Sequence, residues 1–123
     1  MARNKKRILM VDDDPELAEL YREILEENLF SFKVAGDAAE GLQLARKFKP
    51  DLILLDLMLP GMSGFGFLRQ LRQDPRCEDI PIVVLSSLND DEIAEESLEL
   101  GAAAYLTKAI HSRQLVSMLR EYA

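Results

Sequence analysis

The chain has 123 residues, the size of one domain, and its 48% hydrophobic and 30% charged content fits a soluble globular protein and not a disordered one. Its 22 acids against 15 bases give a formal charge of −7, which disfavours this chain itself gripping nucleic acid or an anionic membrane. A single cysteine, Cys77, excludes an internal disulfide framework and a cysteine-rich zinc site; a single histidine, His111, leaves no His pair for a metal and speaks against a Ser-His-Asp triad. No run of 18 apolar residues and no signal-peptide pattern occur, so the expectation is one cytoplasmic domain over residues 1–123 with no membrane partner.

The basic start, Arg3 to Arg7, reads as a solvated tail before the first strand, Ile8–Val11. Such short continuous runs of Ile, Val and Leu, without polar alternation, suit strands buried on both faces. Asp14-Pro15 is an N-cap followed by proline at the first helical position. The helix it opens carries a stripe of Leu17, Leu20, Tyr21, Ile24 and Leu25. A weaker strand, Phe32–Ala35, precedes a second helix capped by Asp37 with Ala38, Leu42 and Ala45 on one face. Leu52–Leu55 is the third strand, and Leu68 and Leu71 mark the third helix. The polar loop Asp74–Asp79 is expected to leave Cys77 an exposed thiol. Ile82–Leu85 is the fourth strand; Asn89 can cap a fourth helix with Ile93, Ser97 and Leu100, ended by Gly101. A weak fifth strand, Ala103–Thr107, leads to a last helix beginning near His111 and carrying Leu115, Leu119 and Tyr122. Pro50, Pro60 and Pro81 fall in connections or at strand starts.

Five alternating β and α elements imply a parallel sheet with right-handed crossovers and helices on both faces, a three-layer α/β/α sandwich. In such sheets the working crevice lies at the carboxyl ends of the strands. There stand Asp12, Asp13 and Asp14 after the first strand, Asp56 after the third, Ser86 and Ser87 after the fourth and Lys108 after the fifth. Asp14 is accounted for as a cap. The other three carboxylates, gathered beside one ammonium, repel at ~4 Å by about 4 kcal/mol per pair at intermediate dielectric. A hard divalent cation with oxygen ligands resolves that repulsion, and Mg²⁺, or another divalent such as Mn²⁺, suits a partly open carboxylate site.

Four blocks carry a resemblance: Ile8 to Pro15, Leu52 to Gly64, Pro81 to Ser86 and Gly101 to Lys108. In this order and spacing they resemble the receiver domain of two-component response regulators, of the chemotaxis-receiver-like kind, over essentially the whole chain. The resemblance implies a flavodoxin-like five-stranded parallel sheet of order 2-1-3-4-5, with two helices on one face and three on the other. It implies that Asp56 is the phosphoacceptor, that Asp13, Asp56 and the Met58 carbonyl bind Mg²⁺ directly with Asp12 acting largely through water, and that Lys108 pairs with the phosphoryl oxygens. Ser86 takes the switch hydroxyl position and Tyr105 the coupled aromatic position. The implied partners are a sensor histidine kinase or a histidine phosphotransfer protein and a downstream protein or effector domain. A phosphorylation-dependent homodimer is compatible with the same surfaces. The implied role is a switch acting through the face of the fourth helix, fifth strand and fifth helix, not a turnover enzyme.

Physical chemistry is consistent with those roles: phosphoryl transfer needs positioning and charge neutralisation more than covalent chemistry from the protein. The fourth helix carries Asp90, Asp91, Glu92, Glu95, Glu96 and Glu99 without a base, so a partner docking there presents a basic or polar surface and direct DNA contact is disfavoured. The chain departs from the family at Lys108-Ala109, where Lys-Pro is usual; a trans bond and a re-routed loop are expected there, because a cis bond before a non-proline residue costs about 2.5–4 kcal/mol. Ser87 stands where a smaller residue is common and narrows the entrance; Met58 is bulky enough to shield an aspartyl phosphate, implying a long-lived phosphoryl state. A haloacid-dehalogenase-type phosphatase needs a second acid two residues after the nucleophile, and Met58 occupies that spot. A phosphorylation-independent scaffold would not need the five central residues, and a flavodoxin-like small-molecule binder would need a phosphate-cradling loop after the first strand. No effector domain follows Ala123, which fits both a stand-alone receiver and one cut from a longer chain.

Overall fold

A computed structural model describes residues 5–59, 62–87 and 89–123; Arg3, Pro60 and Gly61, which figure in the sequence reading, lie outside the described residues. Strands and helices alternate without exception: β1 (Arg7–Val11), α1 (Pro15–Glu27), β2 (Ser31–Ala35), α2 (Ala38–Lys47), β3 (Leu52–Asp56), α3 (Gly64–Gln73), β4 (Ile82–Ser86), α4 (Asp91–Glu99), β5 (Ala104–Thr107) and α5 (Ser112–Tyr122). The strands form one parallel sheet of order β2-β1-β3-β4-β5. The expected order is therefore the observed one. The central strands β3 and β4 are buried at every residue, as unbroken apolar runs require.

Two apolar layers sandwich the sheet. Ala18, Tyr21 and Leu25 of α1 pack with Leu115, Val116 and Leu119 of α5 against Ile8, Met10, Leu52 and Leu54. On the opposite face α2 and α3, with partly buried Ile93 of α4 and Leu100 at its C-cap, cover Leu9, Val11, Ile53 and Leu55. Two helices thus lie on one face and three on the other. Adjacent residues of one strand feed opposite layers because the side-chain period of a strand is two.

Several sequence expectations need correction. Strands β1, β2, β3 and β4 each gain a residue, because Arg7 pairs with Ser31 and the ladder continues through Asp56↔Leu85 and Ser86↔Thr107. Strand β5 begins at Ala104, one residue later than read. Helix α4 is capped by Asp90, not Asn89: its carboxylate accepts from the N–H groups of Glu92 and Ile93. Leu20 is 51% exposed, since it sits about 100° around the helix from Tyr21 and off the line joining Ala18, Tyr21 and Leu25. Cys77 is buried, not exposed. The chain after α3 turns back, with the N–H groups of Cys77 and Glu78 both donating to the Asp74 carbonyl at 2.8 Å, and the thiol enters the core beside α3. Burial raises its pKa.

Asp74 anchors that turn. Its carboxyl is held down to about 2, first by the Arg76 N–H at 2.9 Å and then by the Arg46 guanidinium at 2.8 Å. At the other end of the sheet the expected caps appear: Asp14 accepts from the N–H groups of Glu16 and Leu17, Asp37 from Glu40, and the His111 ring nitrogen from Arg113. Gly101, at φ +103°, ends α4 as read.

Helix α1 ends in a Schellman turn, with Leu29 N–H to Glu26 O and Phe30 N–H to Leu25 O. The left-handed residue of that turn is Leu29, at φ 67°, where glycine is ordinarily found. Its side chain is largely exposed and so gains little in return. Leu29→Gly is therefore expected to stabilise the fold by about 0.5–1 kcal/mol, read as a higher urea midpoint at unchanged m.

Candidate functional site

The carboxyl edge of the sheet gathers the residues singled out in the sequence. Asp12 follows β1, Asp56 ends β3, Ser86 ends β4 and Lys108 follows β5. Strand β4 separates Lys108 from Asp56, a span of two strand spacings of ~4.8 Å that the long lysine stem can cross. Its Nζ lies 2.9 Å from Asp12 Oδ2 and 3.4 Å from Asp56 Oδ2. Carboxylate oxygens of Asp12, Asp13 and Asp56 all lie within 4.8 Å of one another. Asp12 and Asp56 are nearly fully buried, at 2% and 4% exposure, while Asp13 faces solvent.

Local backbone chemistry holds the two buried carboxylates. Asp12 Oδ1 accepts from the Asp14 N–H at 2.9 Å, and Asp56 Oδ1 from the Met58 N–H at 3.1 Å. Each is a carboxylate bonding the N–H two residues on, which leaves its Oδ2 facing Lys108. Burial pushes the Asp56 carboxyl above its ordinary range; the Met58 N–H pulls it down, Asp12 pushes it up and Lys108 pulls it down again. Burial acts to lower the Lys108 ammonium, yet the close contact and charge of Asp12, with Asp56 behind it, prevail and raise it. The edge is thus an acid-rich pocket in which the partly exposed Lys108 ammonium faces three carboxylates.

Gly64 fixes the loop beneath Asp56. Its N–H donates to the Leu57 carbonyl at 2.9 Å, and a Cβ there would stand 2.4 Å from Leu57 Cα and 2.9 Å from the Asp56 carbonyl. Only glycine lets α3 begin so close to the end of β3. Met58 is 67% exposed at the rim, and Ser87 is exposed. Ser86 is buried, and its carbonyl accepts from the Lys108 N–H at 2.8 Å, which ties the end of β4 to the start of the β5–α5 loop. The Lys108–Ala109 bond is trans, as Ala109 predicts. Tyr105 is half-buried in β5 opposite Val84, against the layer that includes α4.

Sequence reading missed the steric role of Gly64, which could have been suspected from Ser63-Gly64 at a helix start.

Among the described residues no helix is long and apolar enough to cross a membrane. A parallel sheet of order 2-1-3-4-5, with an acidic cluster and a lysine at its carboxyl edge, defines a flavodoxin-like signalling fold. The chain belongs to the response regulator receiver domain family, whose model matches residues 8–120, and so is a receiver domain of the two-component kind. The DNA-binding response regulator MtrA of Mycolicibacterium smegmatis is 42% identical over 116 residues, covering 94% of this chain and 50% of that protein. The BeF3-activated receiver domain of Klebsiella pneumoniae RstA superposes with a TM-score of 0.88 at 36% identity, covering 95% of this chain and 97% of that one. The chemotaxis protein CheY4 of Vibrio cholerae gives 0.90 at 26% identity, with 97% and 99% covered. The chain spans about half the length of the curated relatives it matches.

Proposed function

We propose that residues 1–123 act as a single receiver domain in which Asp56 accepts a phosphoryl group from a sensor histidine kinase or a histidine phosphotransfer protein. The observation that carries this reading is the Lys108 ammonium shared between Asp12 and Asp56, at 2.9 and 3.4 Å, with Asp13 close by. Asp56 Oδ attacks phosphorus; a new O–P bond forms, and the N–P bond of the donor phosphohistidine breaks with its electron pair leaving on the imidazole nitrogen. Lys108 then turns from the carboxylates toward the phosphoryl oxygens, which bring about −1.5 to −2 charges into the pocket. Ser86, at the end of β4, donates its hydroxyl to the new acceptor, and Tyr105 follows on the α4-β5-α5 face, where a downstream partner reads the change.

The donor set fits a hard divalent ion: three carboxylates converge, and Asp12 Oδ2, though ion-paired, receives no well-aligned hydrogen bond and keeps acceptor capacity. Asp12, Asp13, Asp56 and the Met58 carbonyl would hold Mg²⁺ or Mn²⁺. When bound, the ion neutralises charge on the phosphoryl oxygens. The chain is a switch that assists its own phosphorylation and dephosphorylation; exposed Met58 stands at the rim where it restrains water. Net charge of −7 and the acidic α4 argue against direct contact of this segment with nucleic acid, and the compartment proposed for it is the cytoplasm.

The test is labelling by a small acyl phosphate. One phosphoryl group should be incorporated in the presence of Mg²⁺ and none in its absence, by intact-mass spectrometry, and Asp56→Asn should abolish it. Failure of the wild-type chain to label from both that donor and a phosphorylated kinase would overturn the reading and leave a phosphorylation-independent scaffold.

A further inference from the structure

Asp74 draws more positive charge than one carboxylate can match. Its side chain, 6% exposed, accepts from the Nε atoms of two guanidiniums that come from different elements. Arg46, in the last turn of α2, lies at 2.8 Å, and Arg76, in the turn after α3, at 3.3 Å. Bases are common in the last turn of a helix, whose carbonyl end is negative, and that preference accounts for Arg46 and Lys47. It does not account for Arg76, which belongs to no helix and still brings its guanidinium to the same acid.

Anchoring through Nε has a chemical consequence. A guanidinium offers five N–H donors in a planar fork, and Nε supplies one of them. The outer amino groups of both partly exposed arginines are left to a second anion, on side chains already held in place by a buried acid. Arg46, Arg76 and Lys47 line one cleft of about 370 Å³, completed by Ala39, Leu42 and Gln43. Positions 39, 42, 43, 46 and 47 share one face of α2 by their spacing, so the cleft runs along the helix from an apolar end to a cationic end. Three bases against Asp74 leave it at +3 − 1 = +2 in a chain of −7. The adjoining hollow shares Arg46, Arg76 and Asp74 and contributes no further acid.

A carboxylate has two oxygens and is satisfied by one guanidinium fork, whereas a phosphate group has three free oxygens and can bridge two. Helix α2 starts after the carboxyl end of β2 and returns, so its last turn lies toward the edge of the sheet opposite the acidic pocket. We propose that this cleft binds the phosphate group of a small molecule, with Arg46 and Arg76 as a paired clip set by Asp74 and Lys47 as a third cation. The site is separate from Asp56 and does not depend on the receiver reading.

The test is titration of the metal-free protein, in EDTA at low ionic strength, with AMP, inorganic phosphate and adenosine. Calorimetry gives the affinity and amide NMR shifts locate the site. AMP and phosphate should bind in the millimolar range and move the amides of Gln43, Lys47 and Arg76, and adenosine should not bind. AMP binding more tightly than phosphate identifies a phosphate ester as the source; equal affinities identify the free anion. Arg76→Gln should weaken binding by about 10-fold, the equivalent of one charge-assisted hydrogen bond. Lys47→Gln should weaken it by about 3-fold, as expected of one exposed charge. Both side chains are exposed, and Arg76→Gln keeps the backbone N–H that Asp74 accepts from, so the turn survives in the variant. Arg76→Lys should not restore the wild-type affinity, because it returns the charge without the fork. No binding of AMP or phosphate overturns the proposal, as does binding that Arg76→Gln leaves unchanged or that moves amides elsewhere. A purely structural Asp74 turn predicts the first of these results.

Discussion

Lys108→Met is expected to lower the unfolding free energy of the metal-free protein by about 2–4 kcal/mol at pH 7, because it leaves buried carboxylates without their cation. The ammonium stands 2.9 Å from an Asp12 side chain that is only 1% exposed and 3.4 Å from Asp56. Removing one partner of such a pair is far costlier than the pair is worth as a whole, since the remaining charge is already desolvated. The lysine itself is 22% exposed, so water relieves part of the loss, and the lower end of the range reflects that. Methionine keeps most of the stem and isolates the charge. The raised Lys108 pKa sets the pH behaviour. Its contribution is fully present below the ordinary 10.5 and is lost only as pH rises through the folded value, so the difference between variant and wild type stays flat from pH 7 to 9. Mg²⁺ should restore more stability to Lys108→Met than to wild type, because the uncompensated site gains more from a cation that binds only the folded state. Urea unfolding with and without Mg²⁺ measures both effects. Equal midpoints without metal would show that the ammonium is not what holds the pocket together.

That pocket was legible in the sequence because a parallel sheet turns distant positions into neighbours by rule. Each of Asp12, Asp56, Ser86 and Lys108 directly follows or ends an apolar run, and the run fixes where the strand stops. Helix boundaries marked by Asp14-Pro15 and Asp37 were equally plain, since a carboxylate two or three residues ahead of a free N–H is a local device. Where two such residues compete, local chemistry does not choose: Asn89 and Asp90 can both cap α4, and the position of Ile93 against the sheet selects Asp90. Cys77 was misjudged for a different reason. Its neighbours Asp74, Arg76, Glu78 and Asp79 are polar, but the turn that Asp74 organises points the Cys77 side chain inward, and that turn is tied to Arg46 from another helix. Leu20 shows the reverse error, an apolar residue counted into a stripe too wide for the helix face that packs.

Asp56→Asn should make the metal-free fold more stable at neutral pH, by about 1–3 kcal/mol, the usual scale for removing a buried group whose charge is only partly compensated. Burial is the leading cause of the raised Asp56 pKa, and the neighbouring Asp12 adds to it. The folded protein therefore holds this proton at pH values where the unfolded chain, with its ordinary 3.8, has released it. Stability from this group is fully present below 3.8 and is lost as pH rises through the folded value, so at pH 7 Asp56 is a net burden on the fold. Asparagine lifts that burden while keeping the oxygen that accepts from the Met58 N–H, and Lys108 retains Asp12 as its closer partner. Other carboxylates titrate in the same window, so the quantity to follow is the difference between variant and wild type. It should be largest at neutral pH and shrink as pH falls toward 4. The same substitution would thus remove the proposed phosphoacceptor while strengthening the scaffold, as expected of a residue held for chemistry at the expense of stability. An Asp56→Asn protein less stable than wild type at pH 7 would mean that the Lys108–Asp56 contact outweighs burial, and that this carboxylate is part of what holds the fold.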